Sequence, residues 1–396
     1  MRISKLIQDI SSSKTMELES EVRNLQLEGR KVISLVAGAP GFKTPEIICK
    51  SAVNAIEDGF TNYTPVDGIT ELKKGVVNRY FRDFDLKFSL DEVIISSGAK
   101  HCVYNALMCL IDPGDEVIFG APYWVSYPEI IKLCKGMPVI IKASYTNELK
   151  LTALDLRKCI THKTKAFILC NPSNPTGLVY SEQDLSSIAE VMRDFPDLFM
   201  ICDDIYDMLC WDGLPDHFLN IAPDLKNRVI VINGVSKGYS MAGWRIGYTL
   251  APKDIILGIK KFQSQSLSNP CSISQKASTT ALDLTYSDLS FYISTYKEQV
   301  LYMYEALLRI EGVKCLKPTS SYYLFPNIEK LLLILGFKSE KDFCKILLQE
   351  VLVGVMPGES FGCPGYIRIS CSVGISTLNE AIKRINDFID ARITTK

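Results

Sequence analysis

Short, mostly apolar runs alternate with helical segments through the middle of this chain. Six such runs, each of three to five residues, lie at 93–95, 116–119, 138–141, 166–170, 198–202 and 229–232. Between them, apolar residues recur at the spacing of a helix, and we predict helices at 71–81, 101–110 and 185–193. Buried strands separated by helices are typical of a mainly parallel sheet with helices on both faces. The sequence therefore predicts an α/β domain.

The pattern changes after about residue 290. There we predict helices at 291–310, 341–349 and 378–393, and strands at 322–325 and 366–370. An amphipathic helix is predicted near the start of the chain, from Met16 to Leu27. We interpret the chain as a large domain at 48–290 and a smaller α+β domain built from 1–47 and 291–396.

Composition excludes several classes of protein. The net charge is −1 over 396 residues, whereas nucleic-acid binders carry clustered basic charge. The 13 cysteines are scattered without a Cys-x-x-Cys pair, and the three histidines are not spaced for metal binding. No segment resembles a signal peptide, and no run approaches about 18 apolar residues. We expect a cytoplasmic protein with reduced thiols and no metal, nucleic-acid or membrane partner.

A lysine follows the last apolar run of the large domain. Asn233-Gly234 is predicted to end that strand, and Ser236-Lys237 comes next, with Arg245 further on. Poor solvation lowers the pKa of an amine, and a neutral amine can attack a carbonyl. An arginine fork suits a phosphate. Lys237 and Arg245 together suggest pyridoxal phosphate. The alternative for a Ser-Lys pair taken alone is a surface lysine, with the arginine in an ion pair.

Other notable polar residues also follow predicted strands, where ligands bind in open parallel sheets. They are the turn Ser97-Gly98-Ala99-Lys100, then Trp124, the loop Asn171–Gly177 with Asn174, and Asp203. The turn at 97–100 is suited to bind a phosphate, and the indole of Trp124 is suited to stack on a flat ring. The carboxylate of Asp203 is suited to pair with a cationic ring nitrogen. Arg368, in an Ile-Arg-Ile strand, suits a carboxylate. Each feature also has a purely structural alternative. The turn would be an ordinary one, Trp124 a core residue, Asp203 a partner in a salt bridge and Arg368 an exposed residue.

With these residues in place, the chain resembles the class I/II aminotransferases that use pyridoxal phosphate and have fold type I. It is most similar to the bacterial aspartate/prephenate branch. The matching stretches are 96–100 (SSGAK), 121–128 (APYWVSYP), 171–177 (NPSNPTG), 203–206 (DDIY), 236–237 (SK), 243–248 (GWRIGY) and 367–370 (IRIS). Their order and spacing span nearly the whole chain.

The resemblance implies a fold and a reaction. The fold is a mainly parallel, seven-stranded sheet between helices, with a smaller α+β domain. The reaction is transamination between an amino acid, with aspartate favoured, and a 2-oxo acid such as 2-oxoglutarate or oxaloacetate. A prephenate or aromatic aminotransferase and a β-lyase of the same fold remain alternatives. A homodimer with shared active sites is also implied.

The resemblance further assigns site residues. The catalytic residues would be Lys237, Asp203 and Tyr206. The cofactor would be bound by Gly98, Ala99, Lys100, Trp124, Asn174, Asp203, Tyr206, Ser236, Lys237 and Arg245, and by Tyr63 from the neighbouring subunit. The substrate would be bound by Gly38, Trp124, Asn174, Arg368, Thr15 and Lys100, the last two at the distal carboxylate.

The chain departs from the family pattern at three places. Gly234 stands where a phosphate-binding serine is common, three residues before Lys237. The loop 38–42 reads GAPGF instead of GEPDF, and 319–323 reads TSSYY where the pattern is SGAFY. A regulatory protein with a DNA-binding module is disfavoured by the near-neutral charge. A dinucleotide-binding domain is disfavoured because no Gly-x-Gly-x-x-Gly follows the first strand.

Overall fold

A computed structural model describes residues 3–394 of the chain. Its strands are β1 (Ile33–Ser34), β2 (Val93–Ser96), β3 (Glu116–Ala121), β4 (Met137–Lys142), β5 (Thr164–Cys170), β6 (Phe199–Asp203), β7 (Val229–Gly234), β8 (Gly247–Leu250), β9 (Tyr323–Leu324), β10 (Val353–Gly354), β11 (Met356–Pro357) and β12 (Ile367–Ser370).

The α-helices are α1 (Lys5–Gln8), α2 (Lys14–Leu27), α3 (Glu46–Glu57), α4 (Thr70–Phe84), α5 (Ala99–Leu110), α6 (Tyr127–Leu133), α7 (Ala153–Cys159), α8 (Glu182–Asp194), α9 (Phe218–Ile221), α10 (Lys253–Ser266), α11 (Ser272–Asp283), α12 (Ser290–Leu308), α13 (Glu329–Leu335), α14 (Glu340–Ile346) and α15 (Ile375–Thr394). The predicted helices are confirmed to within a few residues at their ends. No prediction covered α10 and α11 or the short helices α1, α6, α7, α9 and α13.

Seven strands form one sheet in the order β2-β8-β7-β6-β5-β3-β4. The pairs from β7 through β6, β5 and β3 to β4 are parallel. β8 is antiparallel to both its neighbours, β7 and β2. The carboxyl ends of the other strands therefore share one edge with the amino end of β8, and Arg245, just before β8, lies at that edge.

Residues of the central strands pack alternately against two helical layers, because successive side chains point to opposite faces of a sheet. Val229 and Val231 of β7 join a core cluster with α4, α8 and α11. Ile230 and Ile232 join a second cluster with α5, α6 and α10. A sheet buried on both faces needs the continuous apolar runs seen in the sequence. The predicted α/β fold is confirmed.

The end of β7 differs from the prediction. The strand continues through Asn233 and Gly234 rather than ending before them. The Asn233 side-chain amide donates to Asp207 Oδ2 at 2.8 Å, so a polar residue is accommodated within the buried strand. A Cβ at Gly234 would lie 2.8 Å from the carbonyl oxygen of Ile246, the residue just before β8. This close approach leaves little room for a serine side chain.

The remaining strands connect the two ends of the chain. β11, β12 and β9 form an antiparallel sheet, and β1 pairs in parallel with β10. The N-terminal segment thus contributes a strand to the C-terminal part, as the predicted division at 48 and 290 requires; the division itself stays a prediction. Within residues 3–394, no helix is long and apolar enough to cross a bilayer. In the same range, no cluster of His, Cys, Asp and Glu could hold a metal ion.

Gly247 offers a test of how closely β8 approaches the start of α5. A Cβ at Gly247 would lie 2.5 Å from the backbone nitrogen of Ala99 and 2.5 Å from the carbonyl carbon of Gly98. We expect Gly247→Ala to lower the free energy of unfolding by about 1–3 kcal/mol, since the backbones must separate. Equilibrium urea unfolding measures the change.

Gly243→Ala is the matched control, since a Cβ there would meet nothing within 4 Å. It should leave the free energy of unfolding within about 0.5 kcal/mol of wild type. Equal stability of Gly247→Ala and wild type would show that β8 and α5 are not packed this tightly.

Candidate active site

A cavity of about 380 Å³ opens at the shared edge of the large sheet. The predicted site residues that line it are Thr15, Gly38, Ala99, Lys100, Trp124, Asn174, Asp203, Tyr206, Ser236, Lys237, Arg245 and Arg368. A larger cavity of about 670 Å³ also includes Lys100 but lies against α2, α6 and α14. The smaller cavity is the candidate active site, because Lys237, Asp203 and Arg368 line it and do not line the larger one.

Lys237 presents its amine to this cavity. The side chain follows β7, is half-buried, and donates from Nζ to the carbonyl oxygen of Gly38. Desolvation lowers the pKa of the amine, and the positive charges of Arg368 and Arg245 lower it further. An amine with a lowered pKa is neutral more often and is therefore a better nucleophile and base at neutral pH.

Asp203 ends β6 inside the cavity and is buried. Its Oδ2 accepts a hydrogen bond from the Tyr127 hydroxyl at 2.6 Å, while its Oδ1 is buried without a partner. Burial raises the pKa of this carboxyl to about 6, and the bond from Tyr127 opposes that rise. A buried carboxylate oxygen without a donor costs stability, so this atom is suited to a cationic ligand such as a protonated ring nitrogen.

The turn before α5 forms the anion-binding side. Gly98 has φ +83°, and a Cβ on it would lie 2.2 Å from Arg245 Nη2, so only glycine fits beside the guanidinium. Arg245 Nη2 donates to the carbonyl oxygen of Ser97 at 3.3 Å. Lys100 lies with Nζ 5.2 Å from the centre of the Trp124 ring. A helix start with two adjacent cations suits a phosphate.

The Lys100 residue is exposed, and its amine is only partly desolvated beside the cavity. Burial lowers the pKa of its amine, and the charges of Arg245 and Lys237 lower it further. Several positive charges thus lie close together without an acidic side chain among the lining residues other than Asp203 and Glu19. Such a cavity favours ligands with negative charge.

Arg368 provides a second anion-binding group. The side chain is only 2% exposed, so the alternative of an exposed edge residue is wrong. Its Nη1 donates to Asn174 Oδ1 at 3.1 Å and its Nη2 to the carbonyl oxygen of Val36 at 2.6 Å. Its Nε is buried without a partner. Asn174 Nδ2 in turn donates to the Tyr206 hydroxyl at 3.3 Å.

Two functional side chains were missed by the sequence analysis, the tyrosines 127 and 323. Tyr127 contacts Asp203 as described, and the Tyr323 hydroxyl lies 3.1 Å from that of Tyr206. Both tyrosines are buried, and a buried phenol requires a hydrogen-bond partner. A tyrosine within one of the family motifs therefore indicates a polar contact in the site. The sequence does not identify the residue that its hydroxyl contacts.

Two predicted residues lie outside the cavity lining. Gly98 borders it through Arg245, as above. Tyr63 is 91% exposed and lies in a loop fixed by Gln263, whose Nε2 donates to the carbonyl oxygen of Val66 at 2.6 Å. The assignment of Tyr63 to the site of a neighbouring subunit stays a prediction.

The burial of Asp203 predicts a pH-dependent gain in stability from Asp203→Asn in the ligand-free protein. In the unfolded chain the carboxyl has its ordinary pKa of about 3.9, against about 6 in the folded chain. The ionised group therefore destabilises the fold above pH 6. This penalty shrinks as the pH falls towards 4 and is absent below it.

We expect Asp203→Asn to raise the free energy of unfolding at pH 7.5 by roughly 3 kcal/mol or less, with no gain at about pH 4. Urea unfolding at several pH values measures this. Asp216→Asn, which changes an exposed carboxylate, should show no such gain. A less stable Asp203→Asn at pH 7.5 would contradict the account of an uncompensated buried charge.

Comparison with known proteins identifies the family of the chain. The family model described as aminotransferase class I and II matches residues 30–385. The chain is 40% identical over 393 residues to an aspartate/prephenate aminotransferase of Nitrosomonas europaea, covering 97% of this chain and 99% of that protein. It is 37% identical over 393 residues to an aspartate aminotransferase of Geobacillus stearothermophilus, covering 99% and 100%.

Solved structures give the same result. An aspartate aminotransferase from Rhizobium meliloti superposes with a TM-score of 0.94 at 36% identity, over 98% of this chain and 99% of that one. One from Thermus thermophilus, solved with maleate, gives 0.91 at 30% identity, over 98% and 100%. Since a family model covers most of the chain and full-length relatives exceed 30% identity, the chain belongs to the class I and II aminotransferases.

Proposed function

We propose that this aminotransferase exchanges the amino group of aspartate with a 2-oxo acid such as 2-oxoglutarate, using pyridoxal 5′-phosphate. The observation that carries the proposal is a single cavity that combines Lys237, the unpartnered Oδ1 of Asp203 and the unpartnered Nε of Arg368. The similarity to aspartate aminotransferases supports the choice of aspartate.

The side chains of the cavity fit the cofactor. The turn at Gly98 and Ala99, Ser236 and Arg245 would hold the phosphate, while Trp124 would stack on the ring. Asp203 would keep the ring nitrogen protonated through its free Oδ1. Asn174 and Tyr206 would donate to the ring oxygen. When bound, pyridoxal phosphate supplies an electron sink for the pair left at the substrate α-carbon.

The other steps belong to the protein. Lys237 Nζ, with its lowered pKa, would take the α-proton of the substrate and deliver it to C4′ of the cofactor in the same half-reaction. Arg368 binds the α-carboxylate, with its guanidinium already oriented by Asn174 and Val36. Gly38 lies beside Lys237 and completes this part of the site. Binding the carboxylate on a fixed fork places the α-proton within reach of one amine.

Lys100 and Thr15 are proposed to select the side chain of the substrate. Both line the cavity with Trp124, and the Lys100 ammonium is a charge partner for a distal carboxylate. A prephenate or aromatic substrate is the second candidate. The larger cavity favours it, because it shares Lys100, Val125 and Ser126 with the smaller one and adds room for a bulky side chain.

We also propose a homodimer in the cytoplasm with a large cofactor-binding part at 48–290. In this arrangement Tyr63 would reach the phosphate of the neighbouring subunit. Its 91% exposure supports a role outside its own chain. The hydrogen bonds of Gln263 and Gln275 to the loop around Tyr63 would keep the phenol presented.

Lys237→Ala tests the central residue. We expect the transamination rate with aspartate and 2-oxoglutarate to fall by about 10³-fold or more, because the proton carrier and nucleophile is lost. In wild type, borohydride reduction should fix the cofactor to the peptide that contains Lys237, as seen by mass spectrometry. Lys253→Ala, at an exposed lysine, serves as the control. Full activity in Lys237→Ala would refute the mechanism.

Lys100→Met tests the choice of substrate, since it keeps an unbranched side chain against Trp124 and removes the charge. We expect kcat/KM for aspartate to fall at least about tenfold, while kcat/KM for alanine changes little, because only aspartate loses a charge-assisted contact. Steady-state rates with both amino acids measure the ratio. An unchanged ratio would contradict the role of Lys100 at the distal carboxylate.

A further inference from the structure

Three donors converge on the carbonyl oxygen of Gly38. Lys237 Nζ donates to it, as do the hydroxyls of Tyr322 at 2.9 Å and Tyr323 at 3.2 Å. A carbonyl oxygen has two lone pairs, so the three donors compete for it. Once Lys237 engages another group, the two tyrosines are left to hold this peptide group.

The peptide segment around Gly38 also touches Arg368. The carbonyl oxygen of Val36, two residues earlier, accepts from Arg368 Nη2 at 2.6 Å. The carbonyl oxygen of Leu35 accepts from the backbone nitrogen of Ser370, at the end of the strand that carries Arg368. The segment that carries Gly38 is thus bound both to the Nη2 arm of Arg368 and to the strand of that arginine.

The two tyrosines differ in where they lie. Tyr323 lines the cavity, and its ring centre is 4.6 Å from the Arg368 guanidinium carbon. Tyr322 is fully buried and does not line the cavity; its ring packs on Tyr296 and Tyr206 with centres 5.0 and 6.3 Å away. Tyr322 can therefore influence substrate binding only indirectly, through its ring contacts with Tyr206 and Tyr323 or through the bond from its hydroxyl to Gly38. Replacing Tyr by Phe removes the hydroxyl and keeps the ring.

The backbone that carries Tyr322 is itself fixed to the large sheet. Ser321 has φ +59°, and its carbonyl oxygen accepts from Trp211 Nε1 at 3.1 Å. Its backbone nitrogen donates to the carbonyl oxygen of Leu209 at 2.8 Å. The segment 209–211 closely follows Asp203 and Tyr206, so the backbone just before Tyr322 is bound to the loop that presents these side chains. From this position the Tyr322 hydroxyl reaches Gly38.

We propose that Tyr322 is a positioning residue for binding the substrate carboxylate. Its hydroxyl fixes Gly38, and the segment 36–38 in turn fixes the Nη2 arm of Arg368. The inference rests on the proposed function, since it takes Arg368 as the group that binds the α-carboxylate. It goes beyond that function by assigning the affinity of the site to a hydroxyl that touches neither substrate nor cofactor.

Tyr322→Phe tests the proposal with a readout independent of turnover. Calorimetry on the cofactor-loaded enzyme gives the Kd of succinate, a dicarboxylate that cannot react. We expect Tyr322→Phe to raise this Kd about fivefold, as the loss of one hydrogen bond implies. The KM for aspartate should rise by a similar factor, with kcat within about twofold and the cofactor content unchanged.

Tyr302→Phe is the matched control, because its hydroxyl donates to Asn379 Oδ1 at 2.9 Å on the exposed side of α12. It should leave the succinate Kd unchanged, and urea unfolding should find both variants folded. An unchanged Kd in Tyr322→Phe, a loss confined to kcat, or a loss of cofactor would each overturn the proposal. A wild-type protein that binds succinate but does not transaminate would refute the proposed function while leaving the comparison of Kd values valid.

Discussion

The parallel pairing of β5, β6 and β7 is the constraint on which the rest of the site depends. Its register places Cys170 opposite Asp203 and Asp203 opposite Ile232. Asn174 and Lys237 follow those strands by four and five residues from Cys170 and Ile232. Residues more than 60 positions apart in the sequence thus enter one cavity because three strands end together. The antiparallel β8 completes the edge by bringing Arg245 to it from the opposite direction.

Charge decides what this cavity can hold. Lys100, Lys237, Arg245 and Arg368 line it together with Asp203, and burial lowers the pKa of both lysines while it raises that of the aspartate. Each of these pKa shifts means that burial disfavours the charged form of the side chain when no group of opposite charge lies beside it. A ligand with a phosphate, a cationic ring nitrogen and carboxylates would supply those partners. The groups that destabilise the ligand-free fold are therefore the ones that favour such a ligand, as is common at functional sites.

Local pattern was enough to predict six of the seven strands of the large sheet, about half of the α-helices and the residues at the strand ends. Continuous apolar runs such as 166–170 have a simple cause, since a sheet covered on both faces buries every residue. The reversal of β8 was not predicted, because strand direction depends on pairing with distant segments rather than on composition. The tyrosines 127 and 323 were missed for the same reason. Their partners, Asp203 and Tyr206, lie 76 and 117 positions away in the sequence.

Arg368 and the two groups that orient it come from three distant parts of the chain. Asn174 follows β5, Val36 follows β1, and the arginine itself lies in β12. β1 is fixed by its pairing with β10, so the N-terminal segment reaches Arg368 only when the C-terminal part is folded. The predicted large domain, 48–290, contains Lys237 and Asp203. Val36, Gly38 and Arg368 lie outside it. The buried carboxylate and its bond from Tyr127 lie within the large domain, whereas the lowered pKa of the Lys237 amine also depends on the charge of Arg368. A fixed binding site for the α-carboxylate requires both ends of the chain.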